Sequence, residues 1–309
     1  MRHRNALALI GNTPLLALTR LSPPGSTIWA KAEFLNPGGS IKDRPALAIL
    51  RAARASGQLR PGQAVVEMSS GNMGAGLAVV CAVLGHRLVV AMSRGNSAER
   101  VRMLQSLGAQ VLLVDQVDGA PGQVTGADIA AATAQAMAFA RDHDAYYVDQ
   151  FNNPGSIAAH EHGTGPEILR GTDGRIDAFV ATVGSSGTFV GTARSLKRHS
   201  AAIRCVAVEP AGAQVLAGQA VVKPRHLLQG TGYGSVPPHW EPALADALLA
   251  VSDDEALSYK RRLAHEEGLH VGYSAAANVC ACVRLIEAGG LGPAPSVVTV
   301  LCDTGLKYA

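Results

Sequence analysis

Residues 64–92 read AVVEMSSGNMGAGLAVVCAVLGHRLVVAM. A short apolar run (64–67) breaks at a Ser/Gly/Asn turn, a helix-length apolar stretch (72–84) follows, and a second apolar run (87–92) begins after Gly85-His86. Both short runs are continuously apolar rather than alternating, which is how strands covered on both faces read. This is one strand-helix-strand unit, and the pattern extends outward from it. Downstream, the sequence predicts a helix at 98–107, a strand at 111–114, an Ala-rich helix at 127–141 and a strand at 146–148. Upstream, a strand at 27–35 precedes a helix at 46–55. The second half continues with a strand at 178–183, a helix at 188–199, a strand at 203–209, helices at 253–267 and 275–288, and a last strand at 296–301. Such alternation predicts an α/β fold with a parallel sheet sandwiched between helices. Two stretches lack periodicity, 115–125 and 219–242. The second is long enough that function, rather than connection, is its expected reason.

Composition narrows the function classes. With 48% hydrophobic and 17% charged residues in 309, the chain is globular rather than disordered. Its +3 net charge is spread without a basic stripe, and aromatics are 4%, so neither phosphate neutralisation nor base stacking by a nucleic-acid binder is expected. The apolar stretch near residues 6–10 is too short for a signal-peptide core, and Gly85-His86-Arg87 interrupts the longest one, so no membrane span is expected. Cys81, Cys205, Cys280, Cys282 and Cys302 form no metal-ligand spacing, which predicts free thiols in a cytoplasmic protein and no metal site.

Ligands of open α/β sheets gather where strands end and helices begin. The first such turn is Asn36-Pro-Gly-Gly-Ser-Ile-Lys42-Asp-Arg-Pro45. Lys42 precedes a helix N-terminus, whose field disfavours the ammonium form and makes the amine a better nucleophile; the plainer alternative is a solvated surface lysine. The second, Ser69-Ser-Gly-Asn-Met-Gly74, suits a carboxylate or phosphate, or equally an ordinary helix cap. Its glycine order and the lack of an acidic residue after the next strand exclude a dinucleotide fingerprint. The third, Gly184-Ser-Ser-Gly-Thr188, has neither a P-loop lysine nor a nucleophile-elbow pattern, leaving a small cradle sized for one phosphate. The last strand ends in Cys302-Asp-Thr-Gly305.

Taken in order, I-G-N-T-P-L, N-P-G-G-S-I-K-D-R, S-S-G-N-M-G, Gln150-Phe-Asn-Asn-Pro154, G-S-S-G-T, Gln229-Gly-Thr-Gly232, Glu266-Glu-Gly268 and D-T-G-L-K-Y resemble the pyridoxal-phosphate enzymes of the cysteine synthase and cystathionine β-synthase family, with the tryptophan-synthase-β-like fold (fold type II). The resemblance implies two three-layer α/β domains with mostly parallel twisted sheets and the cofactor in the cleft between them. A smaller mobile domain would span 44–147, and a larger cofactor-binding one 1–43 with 148–309.

It also implies roles. Lys42 would be joined covalently to pyridoxal 5'-phosphate and would shuttle the Cα proton. Asn72 would meet the ring hydroxyl oxygen; Gly184, Ser185, Ser186, Gly187 and Thr188 would hold the phosphate; Thr304 would meet the pyridine nitrogen. Ser69, Ser70, Met73 (through its backbone) and Gln150 would bind the substrate carboxylate, with Gly230 on the exit side. Asp303 adjoins Thr304, but neighbours on a strand point to opposite faces, so only one reaches the ring. A hydroxyl there leaves the nitrogen largely neutral and favours β-elimination and β-replacement over transamination.

The implied reaction is β-replacement on O-acetyl- or O-phosphoserine through an α-aminoacrylate, with sulfide giving L-cysteine. Alternatives are another thiol or an amine as nucleophile in a specialised pathway (a diamino acid, for example), a serine/threonine dehydratase, or a catalytically weak binding paralogue. A homodimer acting on small molecules is expected. Three departures bear on substrate: Met73 where Thr is usual, Ser185-Ser186 where Gly-Gly is commoner, and the altered 93–97 loop, whose Arg94 is either a contact for an anionic group or a solvated charge.

Overall fold

The computed structural model describes residues 3–308. In chain order its elements are β1 (Leu15–Ala17), β2 (Thr27–Ala32), α1 (Asp43–Ala55), β3 (Val65–Met68), α2 (Asn72–Leu84), β4 (Leu88–Ser93), α3 (Ala98–Ser106), β5 (Gln110–Val114), α4 (Gly126–Asp142) and β6 (Tyr146–Tyr147). There follow α5 (Gly155–Ala159), a π-helical turn (His160–Thr164), α6 (Gly165–Gly171), β7 (Ala178–Thr182), α7 (Gly187–His199), β8 (Arg204–Pro210), β9 (Ala247–Val251), α8 (Asp253–Glu266), α9 (Tyr273–Glu287) and β10 (Ser296–Leu301).

Packing divides the chain into two compact units. One joins the described residues through Ile10 to Asn36–Ser156; the other joins Gly11–Leu35 to the described residues from Ile157 onward. This packing division falls at 36 and 156 and places the stretch through Ile10 with the first unit, where the resemblance implies a smaller domain of 44–147. A Cβ on Gly76 would sit 3.0 Å from the Lys42 carbonyl, so α2 lies directly on the start of α1. After β6, the Val148 N–H donates to the Val66 carbonyl at 3.1 Å and the Gln150 N–H to the Glu67 carboxyl at 3.3 Å. These contacts tie the stretch before α1 to α2 and the stretch after β6 to β3.

The first unit holds a four-stranded, all-parallel sheet in the order β5-β4-β3-β6. Its central strands β3 and β4 are largely apolar and buried on both faces. Val65, Val90 and Met92 pack with Leu50, Leu77 and Leu104, whereas Val66, Val89 and Ala91 pack with Ala136 of α4. The alternation within each strand is the two-residue pleat dividing one apolar run between two helix layers.

The second unit holds a six-stranded sheet in the order β1-β2-β10-β7-β8-β9, antiparallel only at the β1–β2 edge. Ile28, Val180, Val206, Val208 and Val297 form its core with the small residues of α9. The two parallel α/β layers bear out the fold class read from the sequence.

Element limits shift slightly. The strand expected at 27–35 ends at Ala32, and the helix expected at 46 starts at Asp43. Gly155, Gly163, Gly165 and Pro166 depress the helix propensity of 155–171, so its sequence predicts no helix; it nonetheless forms α5, the π turn and α6. β1 is too short to register as a pattern, and β9 lies in an Ala/Leu-rich stretch with no alternation.

Candidate active site

In the first unit, β3 and β6 run parallel, so Ser69 and Gln150 leave the sheet at the same edge. The Ser69 hydroxyl accepts from the N–H groups of Gly74 (3.0 Å) and Gly71 (3.3 Å), capping the start of α2. The capping alternative therefore holds for Ser69. Ser70 is half-buried, and its Oγ accepts from Arg100 of α3 at 3.3 Å. Asn72 opens α2, and the Met73 side chain, 2% exposed, is part of the unit's apolar core. Only the backbone of Met73 remains for a ligand.

Lys42 is the N-cap residue of α1 and is half-buried, not a solvated surface lysine. Its N–H donates to Ser40 Oγ at 3.2 Å, and the Asp43 carboxyl accepts the Gly38 N–H. A Cβ on Gly38 would collide with that carboxyl, so part of the Gly-Gly signal is steric. Beneath this edge lies Glu67, 1% exposed. Burial pushes its carboxyl up to about 8, against the opposing pull of the Gln150 N–H, and Asp149 adds to the rise. The Gln150 carbonyl in turn accepts from Ser156 Oγ at 2.8 Å, which fixes this turn from both sides.

In the second unit, β7 and β10 are parallel neighbours, so the 184–188 turn and Thr304 both follow carboxyl ends of adjacent strands. Ser186 is the N-cap of α7 with φ +68° and ψ −20°, a left-handed conformation that costs a non-glycine residue roughly 1–2 kcal/mol. Glycine would adopt this conformation without that cost, and it makes the tight turn that brings successive N–H groups together. Ser185 and Ser186 are 6% and 2% exposed, and the buried Ser186 Oγ has no hydrogen-bond partner. Gly184 lies against the Gly230 carbonyl, leaving no room for a Cβ. Thr188 Oγ1 lies 3.3 Å from Nε2 of the buried His160.

At the end of β10, Asp303 is buried and accepts from the Tyr308 hydroxyl at 2.6 Å, while Thr304 Oγ1 accepts the Leu306 N–H at 3.3 Å. Arg94 pairs with Asp115 at 2.6 Å with 57% of its side chain exposed, so it is a solvated surface charge. Arg100, Glu67 and His160 were not singled out from the sequence. For Arg100 no sequence signal exists beyond helix position; for Glu67 and His160 the signal was an ionisable side chain inside an apolar run or beside a Gly-rich helix. Burial pushes the Cys81, Cys205 and Cys302 thiols up to about 12. Among the described residues no cluster of three or more His, Cys, Asp or Glu side chains could hold a metal, and no helix is long and apolar enough to cross a membrane.

A family model described as pyridoxal-phosphate dependent enzyme matches residues 6–303. The chain belongs to this family. The pyridoxal-phosphate-dependent enzyme is 37% identical over 306 residues to cysteine synthase of Staphylococcus aureus strain Mu50, covering 98% of this chain and 94% of that protein. Among solved structures it resembles O-ureido-L-serine synthase with a TM-score of 0.91 at 34% identity, covering 100% of this chain and 94% of that one. It resembles a cysteine synthase from Entamoeba histolytica with a TM-score of 0.91 at 30% identity, covering 100% and 89%.

The residues present fit the cofactor's anionic end. A buried hydroxyl without a partner is unfavourable in the protein alone, and a phosphate oxygen supplies what Ser186 Oγ lacks. The left-handed turn at the start of α7 provides N–H donors and a helix N-terminus on the same side.

Proposed function

We propose that this enzyme catalyses β-replacement on an O-activated L-serine, O-acetyl- or O-phosphoserine, with sulfide as nucleophile and L-cysteine as product. The similarity to cysteine synthase over nearly the whole chain carries this reading. The arrangement of polar groups at the strand ends of both units supports it.

In this mechanism Lys42 is the covalent anchor, and its Nζ removes the proton from the substrate Cα. The bound cofactor supplies the electron sink that lets the Cα–H and Cβ–O bonds break. The 184–188 turn holds the phosphate through backbone N–H groups and the hydroxyls of Ser185, Ser186 and Thr188. Asn72 would hydrogen-bond the ring hydroxyl oxygen, and the uncharged Thr304 hydroxyl would meet the pyridine nitrogen, with no carboxylate to hold that nitrogen protonated. Ser70, the N–H groups at the start of α2 (Met73 among them) and Gln150 bind the substrate carboxylate. Ser69 acts mainly by holding that turn. Gly230 lies on the product side. The N–H groups of the 69–74 turn, holding the carboxylate, would help keep water from the reacting carbon.

A second reading, replacement by a nucleophile other than sulfide, draws on the likeness to O-ureido-L-serine synthase and on Met73, whose apolar side chain offers no hydroxyl to the substrate. The enzyme is assigned to the cytoplasm, supported by its five unpaired cysteines, and to a homodimer, for which exposed Leu9 and Leu35 offer apolar surface.

The test is a screen of O-acetyl-, O-phospho- and free L-serine against sulfide, other thiols and amines, read by product mass. Cysteine formed fastest from sulfide supports the first reading, and a product carrying another nucleophile supports the second. Keto acid released at the same rate with and without nucleophile would convert the assignment to a dehydratase. A Lys42→Ala protein turning over normally would overturn the mechanism.

A further inference from the structure

One buried imidazole lies between the phosphate cradle and a helix that takes no part in the mechanism above. His160 opens the π-helical turn His160–Thr164 and is 1% exposed. Its Nδ1 is 2.9 Å from Oγ1 of Thr164, itself 0% exposed, and its Nε2 is 3.3 Å from Oγ1 of Thr188. The two ring nitrogens thus bridge a hydroxyl inside the π turn to a hydroxyl in the cradle. π turns are rare, and they concentrate at functional positions because the extra residue redirects a side chain. Here the redirected side chain is His160. The contact is enforced from the opposite side: a Cβ on Gly191 would collide with the Ile157 carbonyl and crowd His160 Cβ, so α7 sits directly on the π turn.

The direction of the hydrogen bonds follows from what each group can do. A hydroxyl that serves an anion must donate its single proton to it, and it then has only lone pairs for a second partner. Thr188 Oγ1 must therefore accept from Nε2–H. A neutral imidazole protonated at Nε2 carries a bare Nδ1, which needs a donor, and the Thr164 hydroxyl is at the right distance to be one. We propose that His160 is a positioning residue, held by Thr164 as the Nε2–H tautomer, that fixes the Thr188 hydroxyl with its proton directed into the phosphate cradle. Each bond in the chain Thr164 → His160 → Thr188 → phosphate polarises the next in the same sense. The inference rests on the reading of 184–188 as the phosphate site.

The decisive measurement reads the tautomer in the unsubstituted protein. In protein carrying 15N-labelled histidine, with the His160 resonances identified by their loss in His160→Gln, Nε2 is expected to be protonated and Nδ1 bare. Protonation at Nδ1 would overturn the proposal. Two substitutions test its consequence by titrating the unloaded protein with pyridoxal phosphate and recording the 31P resonance of the bound group. Thr164→Val and His160→Leu are each expected to weaken binding about ten- to a hundredfold, the range for losing one charge-assisted hydrogen bond, and to move the 31P resonance. His160→Gln, which keeps a donor, recovers part of the affinity. Unchanged affinity and resonance in both Thr164→Val and His160→Leu would sink the idea. Failure of the unsubstituted protein to take up the cofactor would instead strike at the proposed function, so the two failures are separable.

Discussion

The Tyr308 hydroxyl donates to the Asp303 carboxyl at 2.6 Å. That bond engages the Asp303 side chain within its own turn, and the Gly272 N–H donates to the Asp303 backbone carbonyl at 3.1 Å; both support the proposal that Thr304, not Asp303, serves the ring nitrogen. Tyr308→Phe is expected to cost about 1–3 kcal/mol in urea unfolding, the usual loss on stranding a buried acceptor. Thr304→Asp is expected to shift the absorption band of the bound cofactor, and an unchanged spectrum would remove Thr304 from its assigned position.

The Glu67 carboxyl gives a pH signature. Its value of about 8 in the folded protein lies above the ordinary 4.5, so the folded state binds this proton more tightly than the unfolded chain. The resulting stability is fully present below pH 4.5 and is lost as pH rises toward 8, by up to about 1.4 kcal/mol per unit. Glu67→Gln, which keeps an acceptor for the Gln150 N–H but cannot ionise, should gain stability relative to the parent between pH 5.5 and about 8. Urea unfolding at three pH values checks this; a parent–variant difference that stays constant refutes it.

Ser186→Ala should separate folding from ligand binding. The substitution keeps the strained backbone but removes a buried hydroxyl that has no partner, so the unloaded protein should be as stable as the parent or up to about 1 kcal/mol more so. Cofactor affinity should fall at the same time. Thermal unfolding of the unloaded form, set beside equilibrium titration with pyridoxal phosphate, reads both, and a variant that binds as tightly as the parent takes Ser186 out of the cradle.

Arg94→Gln should do very little. The pair with Asp115 is more than half exposed on both sides, where screening leaves less than about 1 kcal/mol. Stability and the KM for O-phosphoserine are both expected to match the parent. A several-fold rise in KM for the phosphorylated substrate alone would restore Arg94 as an anion contact.

The sequence carried the strand–helix alternation because doubly covered strands are unbroken apolar runs, and 64–92 contains one whole unit of it. It also carried the cradle, since Gly184-Ser-Ser-Gly-Thr188 sits where a strand must turn into a helix. What it could not carry were contacts made by distant chain. Nothing local reveals that Ser69 is spent on capping Gly74, that Met73 faces the core, or that Arg100 reaches Ser70. The π turn was equally hidden, because Gly163, Gly165 and Pro166 read as helix breakers until α7 packs against them. The Gly-Gly pair, a functional sign by sequence, is partly a matter of space beside Asp43.

In the six-stranded sheet, β10 lies between β2 and β7, pairing in parallel with both. β10, the last strand among the described residues, is therefore an interior one, and β2 keeps an unpaired edge until β10 emerges. The four-stranded sheet needs nothing beyond β6 and can close during translation. Maturation should accordingly be vectorial, with an early-forming module followed by a late zippering of the second sheet, and the nascent chain should depend most on chaperones in the interval before residue 301 leaves the ribosome.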